Sequence, residues 1–146
     1  MPGYITHILG EGRQEHMQGQ DPLIKNRGVQ LLRSGSVSQS IPLLEMALDQ
    51  NPEDVELYLY LGMAYSMAGR NVESIDILEN ACSIAPGSAA VHYNLGVAYQ
   101  KAGHISKARE AYVRSLNLDT GSDKAKKALD VVLKLQAGGA DTEKAA

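Results

Sequence analysis

Leu61-Gly62-Met63-Ala64-Tyr65-Ser66-Met67-Ala68-Gly69 returns 34 positions later as Leu95-Gly96-Val97-Ala98-Tyr99-Gln100-Lys101-Ala102-Gly103. At that offset the rest of the chain falls into step with itself. Gly28, Gly62 and Gly96 coincide, as do Gly35, Gly69 and Gly103. Small residues recur at Ser40, Ser74 and Ala108 and again at Ala47, Ala81 and Ser115, and Pro52 coincides with Pro86. The spacing holds without insertion from Asp21 to Ser122, three copies of 34 residues.

Each copy predicts two helices. In the second, Val55 to Met67 places Tyr58, Leu61, Gly62, Tyr65 and Ala68 on one stripe, and Gly69 stands where a left-handed helix stop is wanted. A second helix from about Val72 to Ile84 turns Ile75, Leu78, Ala81, Cys82 and Ala85 inward, with Glu73, Asp76, Glu79 and Asn80 toward water. Asp21, Asp54, Ser88 and Ser122 are the expected N-caps. A mid-helix glycine costs roughly 1 kcal/mol against alanine. Its recurrence therefore predicts close helix–helix approach, with Ser74, Ala81, Ala108 and Ser115 as the small partners. Residues 123–136 read as a charged capping helix, 137–146 as a polar tail, and 1–20 as a glycine-containing segment with a short apolar face of Tyr4, Ile5, Ile8 and Leu9.

Composition narrows the function. Fourteen Lys+Arg against 17 Asp+Glu give a net charge of −3, without the basic excess of a dedicated nucleic-acid binder. The single cysteine, Cys82, excludes an internal disulfide or a Cys-based zinc site within one chain, and its place on the inward stripe predicts a buried, inert thiol. His7, His16 and His104 show no metal-ligand spacing, and Gly10-x-Gly12 has no preceding strand and is no phosphate loop. No catalytic residues, cofactor or metal are expected. No apolar run approaches the ~20 residues of a membrane helix, no basic leader precedes the first apolar residues, and the expected compartment is the cytoplasm.

The 34-residue period, with Leu-Gly-x-x-Tyr in the first helix, a small residue and then an aromatic in the second, and a closing proline, resembles the tetratricopeptide repeat (TPR) family. The third copy carries Leu95-Gly96-Val97-Ala98-Tyr99, Ala108 and Tyr112, and the second Leu61-Gly62-Met63-Ala64-Tyr65, Ser74, Leu78 and Pro86. The resemblance implies an all-α, right-handed solenoid of about seven helices, with repeats at 21–54, 55–88 and 89–122. Ile24, Tyr58 and His92 replace the family's tryptophan. The first copy departs further, with Arg27 for the usual leucine and Pro42 inside its second helix.

In that family the first helix of each pair lines the concave side. Here Leu59, Tyr60, Met63, Met67, Tyr93 and Val97 add apolar area away from the packing stripe, which predicts a peptide-binding groove, and methionine suits adaptable recognition. Lys25, Arg33, Lys101 and Lys127 are expected to supply cations, with Lys124 and Lys134 beside them, and Asn94 an amide for a peptide backbone. Residues 1–88 carry five positive and eleven negative charges, and residues 89–146 nine positive and six negative. The C-terminal half should therefore favour acidic segments. Of the five-residue clamp by which some TPR proteins hold chaperone tails, only Lys25 matches. Val29, Tyr60, Ala90 and Asn94 fill the other places, so chaperone-tail binding is not expected.

The expected function is a non-enzymatic adaptor that holds an extended or helical partner segment, apolar with some acidic character. The alternative is a small chaperone for a secretion or membrane-complex client, dimerising through residues 1–20. Below these stands a substrate-selecting repeat region of a larger enzyme. Residues 1–20 are also expected to dock on the first repeat or in a groove of the same or a neighbouring molecule.

Overall fold

The computed structural model describes residues 21–139, so the expectations placed on residues 1–20 and on most of the tail lie outside the described residues. Among the described residues there are seven helices and no strand: α1 (Pro22–Arg33), α2 (Val37–Gln50), α3 (Val55–Met67), α4 (Asn71–Ile84), α5 (Ala89–Lys101), α6 (Ile105–Leu118) and α7 (Asp123–Ala137). None is long and apolar enough to cross a membrane. Each substantial helix contact joins chain neighbours, or α1 to α3 and α3 to α5. The result is a solenoid of stacked pairs, one layer thick.

Local chemistry sets the helix ends. The side chains of Asp21, Asp54, Ser88 and Ser122 accept from backbone N–H groups in the first turns of α1, α3, α5 and α7. Gly35, Gly69 and Gly103 take φ of 85°, 76° and 84°. The residue after each donates back to a carbonyl of the last turn, as Arg70 N does to Tyr65 O at 2.8 Å. α2 runs on through Pro42, which is exposed.

The mid-helix glycines make the pairs. A Cβ on Gly62 would lie 2.6 Å from Leu78 Cγ, and one on Gly96 2.6 Å from Tyr112 Cδ1. The partners of close approach are thus the large Leu78 and Tyr112, each 1% exposed, rather than the small residues expected. The small residues do other work. Ser40 Oγ donates to Gly28 O at 2.8 Å and Ser74 Oγ to Gly62 O at 2.7 Å, while Ser115 Oγ donates to Ala89 O at 2.9 Å.

Between repeats, Tyr65 donates to Glu45 and Tyr99 to Glu79, each at 2.5 Å. Burial, and then the Glu45 carboxylate, hold the Tyr65 hydroxyl above its ordinary range. Glu79, expected to face only water, is thus an inter-repeat acceptor. Tyr58 donates to Pro52 O at 2.6 Å, and His92 Nε2 donates to the matching Pro86 O at 2.8 Å. A carbonyl only accepts, so His92 carries its hydrogen on Nε2, and its Nδ1 faces Cys82 Sγ at 3.8 Å. Cys82 is half-buried rather than sealed; burial, and then Glu79, push its thiol pKa up.

Two further corrections concern the stripes and the cap. Ala68 is exposed, whereas Leu57 and Ala64 are each 0% exposed in the cluster that joins the first two repeats. α7 runs one residue past the expected 136, to Ala137, and Gln136 donates to Ser106 Oγ and accepts from Arg109, both at 3.2 Å.

Gly62→Ala is expected to destabilise the chain by up to about 2 kcal/mol, because an overpacking cost of about 1–3 kcal/mol outweighs roughly 1 kcal/mol of gained helix propensity. In a Leu78→Ala background the same change should stabilise by about 1 kcal/mol. Urea unfolding of the four proteins checks the change of sign.

Candidate functional site

Successive first helices leave two connected hollows. The first, about 230 Å³, lies between α3 and α5. Met63 and Met67 form one wall and Tyr93, Asn94, Val97 and Lys101 the other, over a floor that includes Gly62, Ser66, Ser74, Leu78 and Ala98. The second, about 530 Å³, lies between α5 and α7 and shares Tyr93, Val97 and Lys101 with the first. Gln100, Tyr112, Lys124, Lys127, Ala128 and Val131 complete it.

The same register recurs on each wall. Met63 and Met67 occupy the ninth and thirteenth places of their repeat, as Val97 and Lys101 do of theirs. These places lie four residues apart and so on one helix face, turned away from the stacking stripe. Met63 and Met67 are 44% and 52% exposed, a large apolar area left open to solvent.

Tyr93 is the post between the hollows. Its ring lies 5.7 Å from that of Tyr112, which is fixed by a 2.8 Å hydrogen bond from its hydroxyl to Gln100. Lys124 Nζ stands 4.6 Å above the Tyr93 centroid, at cation–π distance. Asn94 Nδ2 donates to Ala90 O of its own helix at 2.8 Å. That leaves its oxygen as an acceptor for a peptide N–H. Ser66 Oγ, on the floor, has no partner among the described residues. None of Lys101, Lys124 and Lys127 is ion-paired with a described carboxylate.

Four of the expected groove residues line neither hollow. Lys25 is held by Asp54 and Glu56, both at 2.8 Å. Burial opposes its charge, yet these two hydrogen-bonded carboxylates carry its pKa above the ordinary 10.5. Tyr60 is half-buried against the first-repeat cluster and donates to Glu56 at 3.1 Å, so Lys25, Glu56 and Tyr60 tie α1 to α3. Leu59 packs between the second and third repeats, on clusters containing Ala81, Val91 and Leu95. Arg33 is exposed at the end of α1. The sequence singled out neither Gln100 nor Val131 as lining. Val131 shares the register of Met63 and Val97, the signal that could have found it.

Two family models, both described as tetratricopeptide repeat, match residues 26–89 and 89–122. No curated protein sequence matches. The fold is similar to the Sgt2 TPR domain from Aspergillus fumigatus, at 21% identity and TM-score 0.77 over 84% of each chain. It is also similar to the second TPR domain of human RPAP3 in complex with the HSP70 peptide SGPTIEEVD, at 20% identity and TM-score 0.72 over 80% of this chain and 96% of that one. A third likeness is to the first TPR of Spaghetti (RPAP3) bound to the HSP90 peptide SRMEEVD, at 17% identity and TM-score 0.76 over 81% and 94%.

The hydrogen bond from Lys25, the largest influence, holds the Glu56 carboxyl below its ordinary 4.5. A depressed carboxyl stabilises the fold above the unfolded-state value, and the effect disappears as pH falls through the folded one. Glu56→Gln should cost up to about 1 kcal/mol at neutral pH, the usual ceiling for an exposed pair. Thermal melts across pH should show that deficit closing below pH 4.5.

Proposed function

This chain belongs to the tetratricopeptide repeat family, and on that premise we propose that it is a non-enzymatic adaptor that holds a segment of a partner protein in the hollows between α3, α5 and α7. One observation carries the reading. Met63, Met67, Tyr93, Asn94, Val97 and Lys101 converge from two helices on one open cavity that continues to a second. Methionine and tyrosine give apolar contact that tolerates different side chains. The Asn94 oxygen fixes a backbone, and Lys101, Lys124 and Lys127 favour carboxylates at the α7 end. Such a site suits an extended or helical segment with apolar residues flanked by acidic ones, at micromolar affinity, roughly 8 kcal/mol. The peptides in the two similar RPAP3 complexes, with their acidic ends, support a segment of this kind.

Peptides selected from a displayed random library on the wild-type protein give the probe. Met63→Glu and Tyr93→Ala should each weaken the selected peptides by at least about tenfold, or 1.4 kcal/mol, with helicity by circular dichroism unchanged. Unimpaired binding in both variants refutes the site. Lys124→Gln with Lys127→Gln should flatten the fall of affinity with salt, since screening acts on the charged contacts alone.

A further inference from the structure

Among the described residues, nothing covers the stacking face of α1. Counted from Asp21, Val55, Ala89 and Asp123, the third, seventh and tenth places are where each repeat meets the one before it. In α3 these are Leu57, Leu61 and Ala64, none more than 1% exposed. In α5 they are Val91, Leu95 and Ala98, and in α7 Ala125, Leu129 and Val132, all packed against the preceding pair or in the adjoining clusters. In α1 the same places are Leu23, Arg27 and Gln30, and all three are exposed, Leu23 at 69%. With Ile24 and Leu43 they line a cleft of about 390 Å³. Leu43 holds the register of Ile77, which packs at the next junction. The cleft therefore has the form of a receiving face for a helix or strap.

The sequence supplies an occupant in the right place. Counting back 34 residues from α2 reaches residues 3–16, a stretch that contains Tyr4, Ile5, Ile8 and Leu9. Their spacing would place all four on one helical face. The backbone N–H of Asp21 donates to Gln50 at 3.2 Å, so the chain enters α1 immediately beside Leu23 and Ile24. Residues 10–21 can span up to about 40 Å, which lets the segment return to its own cleft, where tethering favours it over a free second copy. Glu11 and Glu15 follow the apolar residues, and Arg27, standing where Leu61 and Leu95 stand, pairs with no described carboxylate.

We propose that residues 4–9 dock in the Leu23, Ile24 and Leu43 cleft of the same chain and cover the exposed stacking face of α1, as α7 covers that of the third pair. The occupied cleft also keeps two copies from stacking end to end, and it leaves the hollows at α3, α5 and α7 free for a partner.

Hydrogen–deuterium exchange on the full chain tests this. The amides of residues 5–9 should exchange at least about tenfold more slowly in the wild type than in Leu23→Glu, with α5 to α7 unchanged in both. Equal rates at residues 5–9 overturn the proposal. Protection that grows with protein concentration overturns it too, in favour of a second copy in the cleft. Should Leu23→Glu also loosen α5 to α7, Ile8→Ser, which alters no described residue, decides by the same comparison: faster exchange at residues 5–9 and in the first turn of α1 supports docking, and wild-type rates overturn it.

Discussion

The structure depends on one contact made three times. In each pair a large side chain of the second helix lies against the bare backbone of a glycine in the first: Leu44 on Gly28, Leu78 on Gly62, Tyr112 on Gly96. In the first two pairs a serine hydroxyl one turn before that side chain bonds the glycine's carbonyl. The glycine lowers helix propensity, and the close-packed crossing offsets it. Because the crossing fixes how near the two helices of a pair lie, it also fixes which faces remain for stacking and which remain open.

Stacking then uses what the crossing leaves. Leu57, Leu61 and Ala64 seal the first junction and Val91, Leu95 and Ala98 the second, while Tyr65 and Tyr99 reach back to Glu45 and Glu79. In α3 the ninth and thirteenth places, Met63 and Met67, are consequently left exposed. The hollows follow from this geometry: they are the gaps between consecutive first helices that stacking does not fill. Where longer side chains do fill the gap, as Tyr60 with the Lys25 and Glu56 pair does near α1 and α3, the surface is tied up instead.

Much of the fold was legible because its determinants are local. The caps at Asp54 and Ser88, the stops at Gly35, Gly69 and Gly103 and the bounds of α3 all follow from residues within a turn or two of one another. The site was legible only in part. Met63, Met67, Tyr93, Asn94, Val97 and Lys101 gather as their helical phase requires. Leu59, Tyr60 and Lys25 share that phase and yet are engaged, because their partners come from elsewhere in the chain: Val91 and Leu95 for Leu59, Asp54 and Glu56 for Lys25. Helical phase tells which way a side chain leaves its helix. It does not tell what waits there.

The fate of the lysines shows why the two ends of the array differ. Lys25 and Lys127 hold the same register, the fifth place of a first helix. Lys25 sits in the acidic half, and the loop and helix that follow it bring Asp54 and Glu56 within 2.8 Å. Lys127 sits on α7, where it pairs with no described carboxylate, and it borders an open cavity with Lys101 and Lys124. α7 therefore has two roles at once. Its inner side, with Ala128, Leu129, Val132 and Leu135, closes the core. Its neighbouring side presents Lys124 and Lys127 to the hollow, with Lys124 above the Tyr93 ring. The positive lining of the second hollow thus reflects the composition of this helix together with the lack of a described carboxylate beside Lys124 and Lys127.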